Sequence, residues 1–345
     1  MELTSTRRTD FSTVLTGLAV EKALSLVPSL FSICASAQAV AGLEACEAAM
    51  GIEADEGNRA LRRALVSLEA IDNHAFQFFV EWPRVAGLPP EVAAFRRVRG
   101  ACQELRAALV GHGPWAKLGG IELDGRVGGE ELRAAVGAVV PNPLAADDVA
   151  LTHWSPFLAA AVAVGARELG QGSAPLVPLE GPEWFARRLT GAAFSAAPTV
   201  DGVPAESGSL TYVASLPALS AVLPQGGRTA WARLVAQLVN PHRLVSVVEE
   251  ALPRIAGGRT RGLPGARSGA GAGIADTSRG RLAHAVQLRD GVVTSWRTVA
   301  PTEWSFHPKG VLSRALLGMT PEAARGVSPF LIASLDPCVV CRLAP

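Results

Sequence analysis

The 345-residue sequence ends in Ser334-Leu335-Asp336-Pro337-Cys338-Val339-Val340-Cys341-Arg342-Leu343-Ala344-Pro345. Two of its five cysteines stand here, two residues apart. That spacing lets two thiolates converge on one metal ion, or on each other as a disulfide. Two buried small hydrophobes would produce the same pattern, and a lone pair is half of a structural zinc site. Pro337 fixes its own φ and pushes Asp336 toward extended backbone, which predicts a pre-shaped entry to the pair. Chain ends fray unless they are tied down, so this tail is expected to be drawn into the interior.

A third sulfur, Cys34, lies in Ser32-Ile33-Cys34-Ala35-Ser36-Ala37-Gln38-Ala39, where small neighbours let another backbone come close. Cys46 and Cys102 fall in helical patterns and read as core. His74, in Asp72-Asn73-His74-Ala75-Phe76, sits on an apolar helical face. A histidine there is more often a satisfied core group than a ligand. Gly269-Ala270-Gly271-Ala272-Gly273 resembles a phosphate cradle, but it has no Lys-Ser/Thr word and no clear strand before it.

These groups must be positioned by a largely helical chain. Hydrophobic residues make up 49% and charged residues 18%, enough for a large core and too little charge for disorder. Lys plus Arg total 32 against 31 Asp plus Glu, so no field argues for nucleic acid. Five cysteines in this length make no disulfide framework. Arg7-Arg8 resembles a twin-arginine signal, but Glu21-Lys22 interrupts the apolar stretch behind it. The uncharged run 23–43 holds Pro28, Gln38 and serines, and reads as a buried helix pair rather than a membrane span. A soluble, cytoplasmic protein with no membrane partner is expected.

Helices are predicted over 11–27 and 30–51, broken near Pro28, and over 58–81, where Leu61, Leu65, Leu68 and Ile71 recur at helical spacing. Pro83 is expected to end the latter. Further helices are predicted from about Pro90 to Val110, Glu130 to Val139, Trp154 to Leu169 and Arg228 to Leu252, the last with a kink at Pro241. Residues 171–209 read as irregular, and 257–273 as a mobile Gly/Arg-rich loop. Then the period changes: 282–288 and 292–299 alternate around Asp290-Gly291, a hairpin signal. A last helix is placed at about 310–317. The prediction is an α+β, predominantly α-helical single domain over 1–345, with a small β-hairpin region near the C-terminus.

At Asp276-Thr277-Ser278-Arg279-Gly280-Arg281-Leu282-Ala283-His284 the chain resembles the Glu-Ala-Pro-Arg-Gly-Ala-Leu-Gly-His word of [NiFe]-hydrogenase large subunits. Asp290-Gly291, Val299-Ala300-Pro301-Thr302-Glu303-Trp304 and the Asp336-Pro337-Cys338-Val339-Val340-Cys341 tail follow in that family's order. Upstream, the word around Ala205-Glu206-Ser207-Gly208-Ser209-Leu210 is similar to its Glu-Val-Gly-Pro-Leu, Ile33-Cys34-Ala35-Ser36-Ala37 to its Arg-Ile-Cys-Gly-Val-Cys, and His74 falls at its His-rich helix.

The resemblance implies a shortened large-subunit-like fold. In that family two Cys-x-x-Cys pairs hold nickel and an iron carrying cyanide and carbon monoxide. Here Ala37 stands at the metal-bridging cysteine, Ser32 at the arginine, Tyr212 at a second arginine and Ala344 at a histidine. Cys338, Cys341 and Cys34 are the matching sulfurs that remain. With the bridging thiolate gone nickel is not expected, whereas soft thiolates can still hold a low-spin iron. Arg279 would face the cyanides, with Asp336, Pro337 and Thr302 lining the site and His284, Glu206 and His74 as structural or site-lining neighbours. The pattern resembles HupK/HoxV-type accessory proteins. It implies no catalysis, transient Fe(CN)2(CO) and two partners: a HypC/HupF-type small chaperone and the large-subunit precursor. A degenerate hydrogen-converting oxidoreductase and a metal-free decoy for the large subunit are the alternatives.

Overall fold

The computed structural model describes residues 2–5, 12–31, 33–111, 113–123, 127–143, 148–216, 219, 228–260, 267–339 and 341–344. In chain order the elements are β1 (Glu2–Ser5), α1 (Ser12–Leu15), α2 (Val20–Leu26), α3 (Ala35–Met50), α4 (Glu56–Phe76), α5 (Trp82–Val85) and α6 (Val92–Val110). There follow α7 (Glu130–Val139), α8 (Asp148–Trp154), α9 (Pro156–Ala163), α10 (Pro182–Ala186), α11 (Ala192–Ala196), β2 (Thr199–Val200), β3 (Val203–Pro204), α12 (Leu210–Val213) and α13 (Ala230–Ile255). The last part holds β4 (Gly269–Thr277), β5 (Gly280–Arg289), β6 (Val292–Val299), α14 (Pro301–Ser305), α15 (Val311–Leu316), α16 (Pro321–Leu335) and β7 (Cys341–Ala344). The predominantly helical α+β reading holds, with a three-stranded antiparallel sheet β4-β5-β6 near the C-terminus.

That sheet lies on α3, and residue size explains how closely. Every second residue of β4 from 269 to 273 is glycine. A Cβ on Gly269, Gly271 or Gly273 would overlap the carbonyl oxygen of Ala49, Ala45 or Ala41 respectively. Four helical residues rise about 6 Å and two strand residues about 6.6 Å, so the two stripes stay in step. The expected 257–273 loop is thereby corrected: residues 261–266 lie outside the described residues, and from Gly269 the chain is strand. Alternate glycines read as loop because the side-chain-free face was needed by a partner invisible in the sequence.

Helix α4 starts at Asp55, whose carboxylate accepts from Asn58 N at 2.8 Å. Its buried stripe packs on α13 in the main core, with Leu61, Leu65, Leu68 and Ile71 facing Leu234, Leu238 and Val248 across one cluster. Pro83 does not end this helical run. A π-turn over Gln77–Glu81 precedes it, and α5 continues to Val85. The stop comes at Gly87, φ 74°, where Gly87 N bonds Arg84 O and Leu88 N bonds Pro83 O. That is the paired C-terminal bonding a left-handed glycine permits.

Other expectations shift in detail. The helix predicted from 154 divides at Ser155-Pro156 and closes at Ala163. The irregular 171–209 stretch contains α10 and α11, and its Asp201-Gly202 turn joins β2 to β3. Helix α13 carries both Pro241 and Pro253 within it. The longest helix of the C-terminal part, α16, lies beyond the one predicted at 310–317 and delivers the cysteine tail. The tail is tied down, but by an antiparallel pairing of β7 with the N-terminal β1, Ser5 opposite Cys341. Among the described residues, no helix is long and apolar enough to cross a membrane.

The glycine stripe makes a prediction. Gly271→Val should destabilise the fold by about 3 kcal/mol or more, because the obstacle is backbone and cannot rotate away. Gly137→Ala, in α7 with nothing near its added methyl, should stabilise by about 0.5–1 kcal/mol. Urea denaturation of both variants checks the pair.

Candidate metal centre

Four elements bring their ends to one small cavity. Cys34 is the residue preceding α3 and accepts Gln38 N through its carbonyl at 2.9 Å. Arg279 is at the tip of the β4–β5 hairpin, whose two-residue turn is Ser278-Arg279 between the paired Thr277 and Gly280. Thr302 is in the first turn of α14, behind Pro301. Cys338 follows the end of α16. The cavity between Cys34 and Cys338 is also lined by Gln38, Arg279, Ala300 and Pro301, and at about 10 Å³ has room for one water molecule.

The hairpin tip is held in place by neighbours on both sides. Thr277 Oγ1 accepts from Arg279 N at 3.1 Å and donates to Gly280 O at 2.8 Å. Gly280 has φ 120°, and a Cβ there would strike the Ser207 side chain, so only glycine fits. Arg279 is buried and its Nη2 lies 3.1 Å from Asp336 Oδ1. Asp336 is not extended as the following proline predicted. It caps α16 in the left-handed region at φ 44°, ψ 69°, which the short aspartate side chain tolerates and the ion pair holds in place. Pro337 sits half-buried between Asp336 and Cys338.

The C-terminal carbonyls of α16 have no helical partners of their own. Gln237 Nε2 from α13 donates to Ser334 O at 2.8 Å and Ala333 O at 3.1 Å. This amide fixes where the helix stops and so where the tail begins. Thr302 Oγ1 then accepts from Cys338 N at 3.3 Å and shares a second hydrogen bond with Cys338 Sγ at 3.1 Å, in which either group can donate.

Electrostatics favour neutral sulfur and charged arginine. Burial pushes the Cys34 thiol up to about 12, Cys338 adds to the rise, and the Gln38 amide opposes it. Burial lifts the Asp336 carboxyl above its ordinary value although the facing Arg279 opposes it. For Arg279, burial is outweighed by Asp336 and the two sulfurs, which hold the guanidinium charged. Arg279 Nε and Asp336 Oδ2 are buried with no hydrogen-bond partner among the described residues.

The remaining candidates divide. His284 does not line the cavity but reaches it through Gln38, whose Oε1 lies 2.7 Å from His284 Nε2. His74 is not among the residues lining the cavity. Arg243 Nε donates to Asn240 Oδ1 at 2.9 Å, which turns the Asn240 amide nitrogen to His74 Nε2 at 3.1 Å. Burial and the nearby Arg279 push the His74 pKa down to about 3. Glu206 is bound by Arg233 at 2.7 and 3.0 Å and sits in a neighbouring cavity behind Arg279. The Cys341 side chain lies outside the described residues. Among the described residues no group of three or more His, Cys, Asp or Glu side chains converges as a ligand set.

Two residues at the centre carry no word of the resemblance. Glu69 of α4 accepts from Ser36 N at 2.6 Å and Ala37 N at 3.1 Å, closing the N-terminus of α3. Gln38 donates to Cys34 Sγ at 3.5 Å. Gln38 alone left a trace in the sequence, a polar side chain one turn from Cys34 in a run of small apolar residues.

A family model for nickel-dependent hydrogenase matches residues 215–343. The hydrogenase expression/formation protein HupK of Azotobacter vinelandii is 30% identical over 339 residues, covering 95% of this chain and 89% of the relative. The chain belongs to the HupK family. HupK of Bradyrhizobium diazoefficiens is 31% identical over 327 residues, covering 92% of this chain and 84% of that one. This HupK-family chain also shares its fold with the Ni-Fe-Se hydrogenase of Desulfovibrio vulgaris Hildenborough in the reduced state. The TM-score is 0.69 at 18% identity, over 97% of this chain and 92% of that one. The large-subunit fold is therefore kept in a HupK-family protein whose position 37 carries no sulfur.

Asp336→Asn should cost about 3–5 kcal/mol by stranding the buried guanidinium, and pairing it with Arg279→Met should restore much of the loss. Urea denaturation of the single and double variants measures this. In metal-free protein at pH 8, iodoacetamide should modify Cys34 on the order of 10²–10³-fold more slowly than in the unfolded chain. The folded thiol ionises above the unfolded one, so its contribution to stability is present below about pH 9 and is lost as pH rises toward 12. Mass spectrometry of the labelled peptide against pH tests the order.

Proposed function

We propose that this chain is a non-catalytic assembly factor in [NiFe]-hydrogenase maturation that receives an Fe(CN)2(CO) fragment as cargo and passes it to the large-subunit precursor. The observation that carries the reading is the meeting of Cys34 and Cys338, from opposite ends of the chain, at one cavity. By the resemblance, Ala37 stands where the family has a fourth sulfur. Relatives named as hydrogenase expression/formation proteins support the maturation role.

In this reading Cys338 and Cys341 are the principal ligands and Cys34 is the third. Soft thiolates suit a low-spin iron, and binding displaces the proton that burial keeps on Cys34. Arg279 supplies guanidinium N–H groups to the cyanide nitrogens, and its Nε has no protein partner among the described residues to give up. The Thr302 hydroxyl turns toward Cys338. A low-spin iron with three diatomic ligands is larger than one water, so loading moves the tail away from α3. Without a bridging sulfur at position 37 the site holds one metal and hands it on. A small chaperone of the HypC/HupF type is the donor in this scheme.

The test is infrared spectroscopy on protein purified without oxygen from a host expressing the maturation genes, with iron and nickel quantified on the same sample. Cyanide and carbonyl bands with iron and without nickel are expected, and Cys338→Ser should remove them. Bands accompanied by one equivalent of nickel would point instead to a degenerate enzyme. No bands and no metal would favour a metal-free decoy.

A further inference from the structure

A chain of buried polar groups runs from the sheet to Cys34, and its direction is fixed at its far end. Trp296 on β6 donates its indole N–H to His284 Nδ1 at 2.6 Å. An indole nitrogen is a donor only, so His284 Nδ1 must be the accepting, unprotonated nitrogen. The ring proton then sits on Nε2, which lies 2.7 Å from Gln38 Oε1. With its oxygen taken, the Gln38 amide has to present its NH2 to Cys34 Sγ, 3.5 Å away. Thr298 Oγ1 also approaches His284 Nδ1, at 3.2 Å, and its rotatable hydroxyl can donate to the same nitrogen. Gln38 and His284 are 0% exposed and Trp296 is 1% exposed, so no solvent competes to reverse the chain.

We infer that Gln38 is the positioning residue of the Cys34 ligand: the Trp296–His284–Gln38 chain aims a fixed N–H at the Cys34 sulfur and weakens that sulfur as an electron donor to bound iron. This builds on the assembly-factor reading. A hydrogen bond to a metal-bound thiolate draws charge from sulfur, and such bonds are among the levers that tune metal–thiolate sites. Cys34 is thereby a weaker donor than it would be without the Gln38 N–H, which suits the release of cargo. Reversing the amide would aim a carbonyl oxygen at the sulfur, and the donor-only indole prevents that.

The experiment compares infrared spectra of the iron-loaded wild-type protein and Gln38→Met, which keeps length and apolar packing but removes the N–H. A stronger sulfur donor raises electron density on iron, so the carbonyl band of the variant should move to lower wavenumber. An unchanged band position in the variant overturns the inference while leaving the assembly-factor reading intact. Absence of bands from the wild-type protein overturns that reading instead. A second measurement needs neither metal nor variant. Ring-nitrogen NMR of metal-free protein labelled with 15N-histidine should show His284 protonated at Nε2 with Nδ1 accepting. A ring protonated at Nδ1, or at both nitrogens, overturns the relay.

Discussion

The centre depends on how closely β4 approaches α3. Three glycines on one face of the strand meet the backbone of three alanines one turn apart on the helix, with Gly269 at Ala49 and Gly273 at Ala41. Strand and helix run in opposite directions, and two strand residues match four helix residues. Carried forward, that register brings the end of β4 at Thr277 to the start of α3 near Cys34. The hairpin tip at Arg279 then falls beside the sulfur. A methyl group on any of the three glycines would separate the layers, so side-chain volume far from the cavity sets the geometry within it.

A second constraint is the accounting of buried polar groups. The helix ends that meet at the cavity lie inside the protein, where their unpaired backbone groups would be costly. The N-terminus of α3 is closed by the Glu69 carboxylate, and the C-terminus of α16 by the Gln237 amide. Donor-only side chains orient the ambiguous ones: Arg243 orients Asn240, and Trp296 orients His284 and through it Gln38. Each such bond removes a conformational choice. The result is a rigid frame around a tail whose own tether, the β1–β7 pair, is four residues long.

This contrast between frame and tail suits the proposed role. A resident cofactor favours ligands that are all fixed, whereas cargo must enter and leave. Cys34 and Arg279 belong to the frame, and Cys338 and Cys341 to the tail. At position 37 the backbone N–H is bound to Glu69 and the side chain is a buried methyl.

The sequence by itself determined the residues with chemistry and much of the local order. The Asp336-Pro337-Cys338-x-x-Cys341 word, Arg279 in the stretch 276–284, the Asp290-Gly291 hairpin and the long stripe of α4 were legible because each is encoded by neighbours within a few positions. Only the tertiary structure decided what spans the chain. The 269–273 glycines read as loop because their reason is the backbone of α3. Pro83 read as a stop because the π-turn before it is a helix-level accommodation. Asp336 read as extended because its ion partner is Arg279. Glu69 and Gln237 carry no local signal, since a carboxylate or amide that closes a helix end is defined by a partner tens of residues away. Gln38, one turn from Cys34, is oriented by His284, 246 residues on.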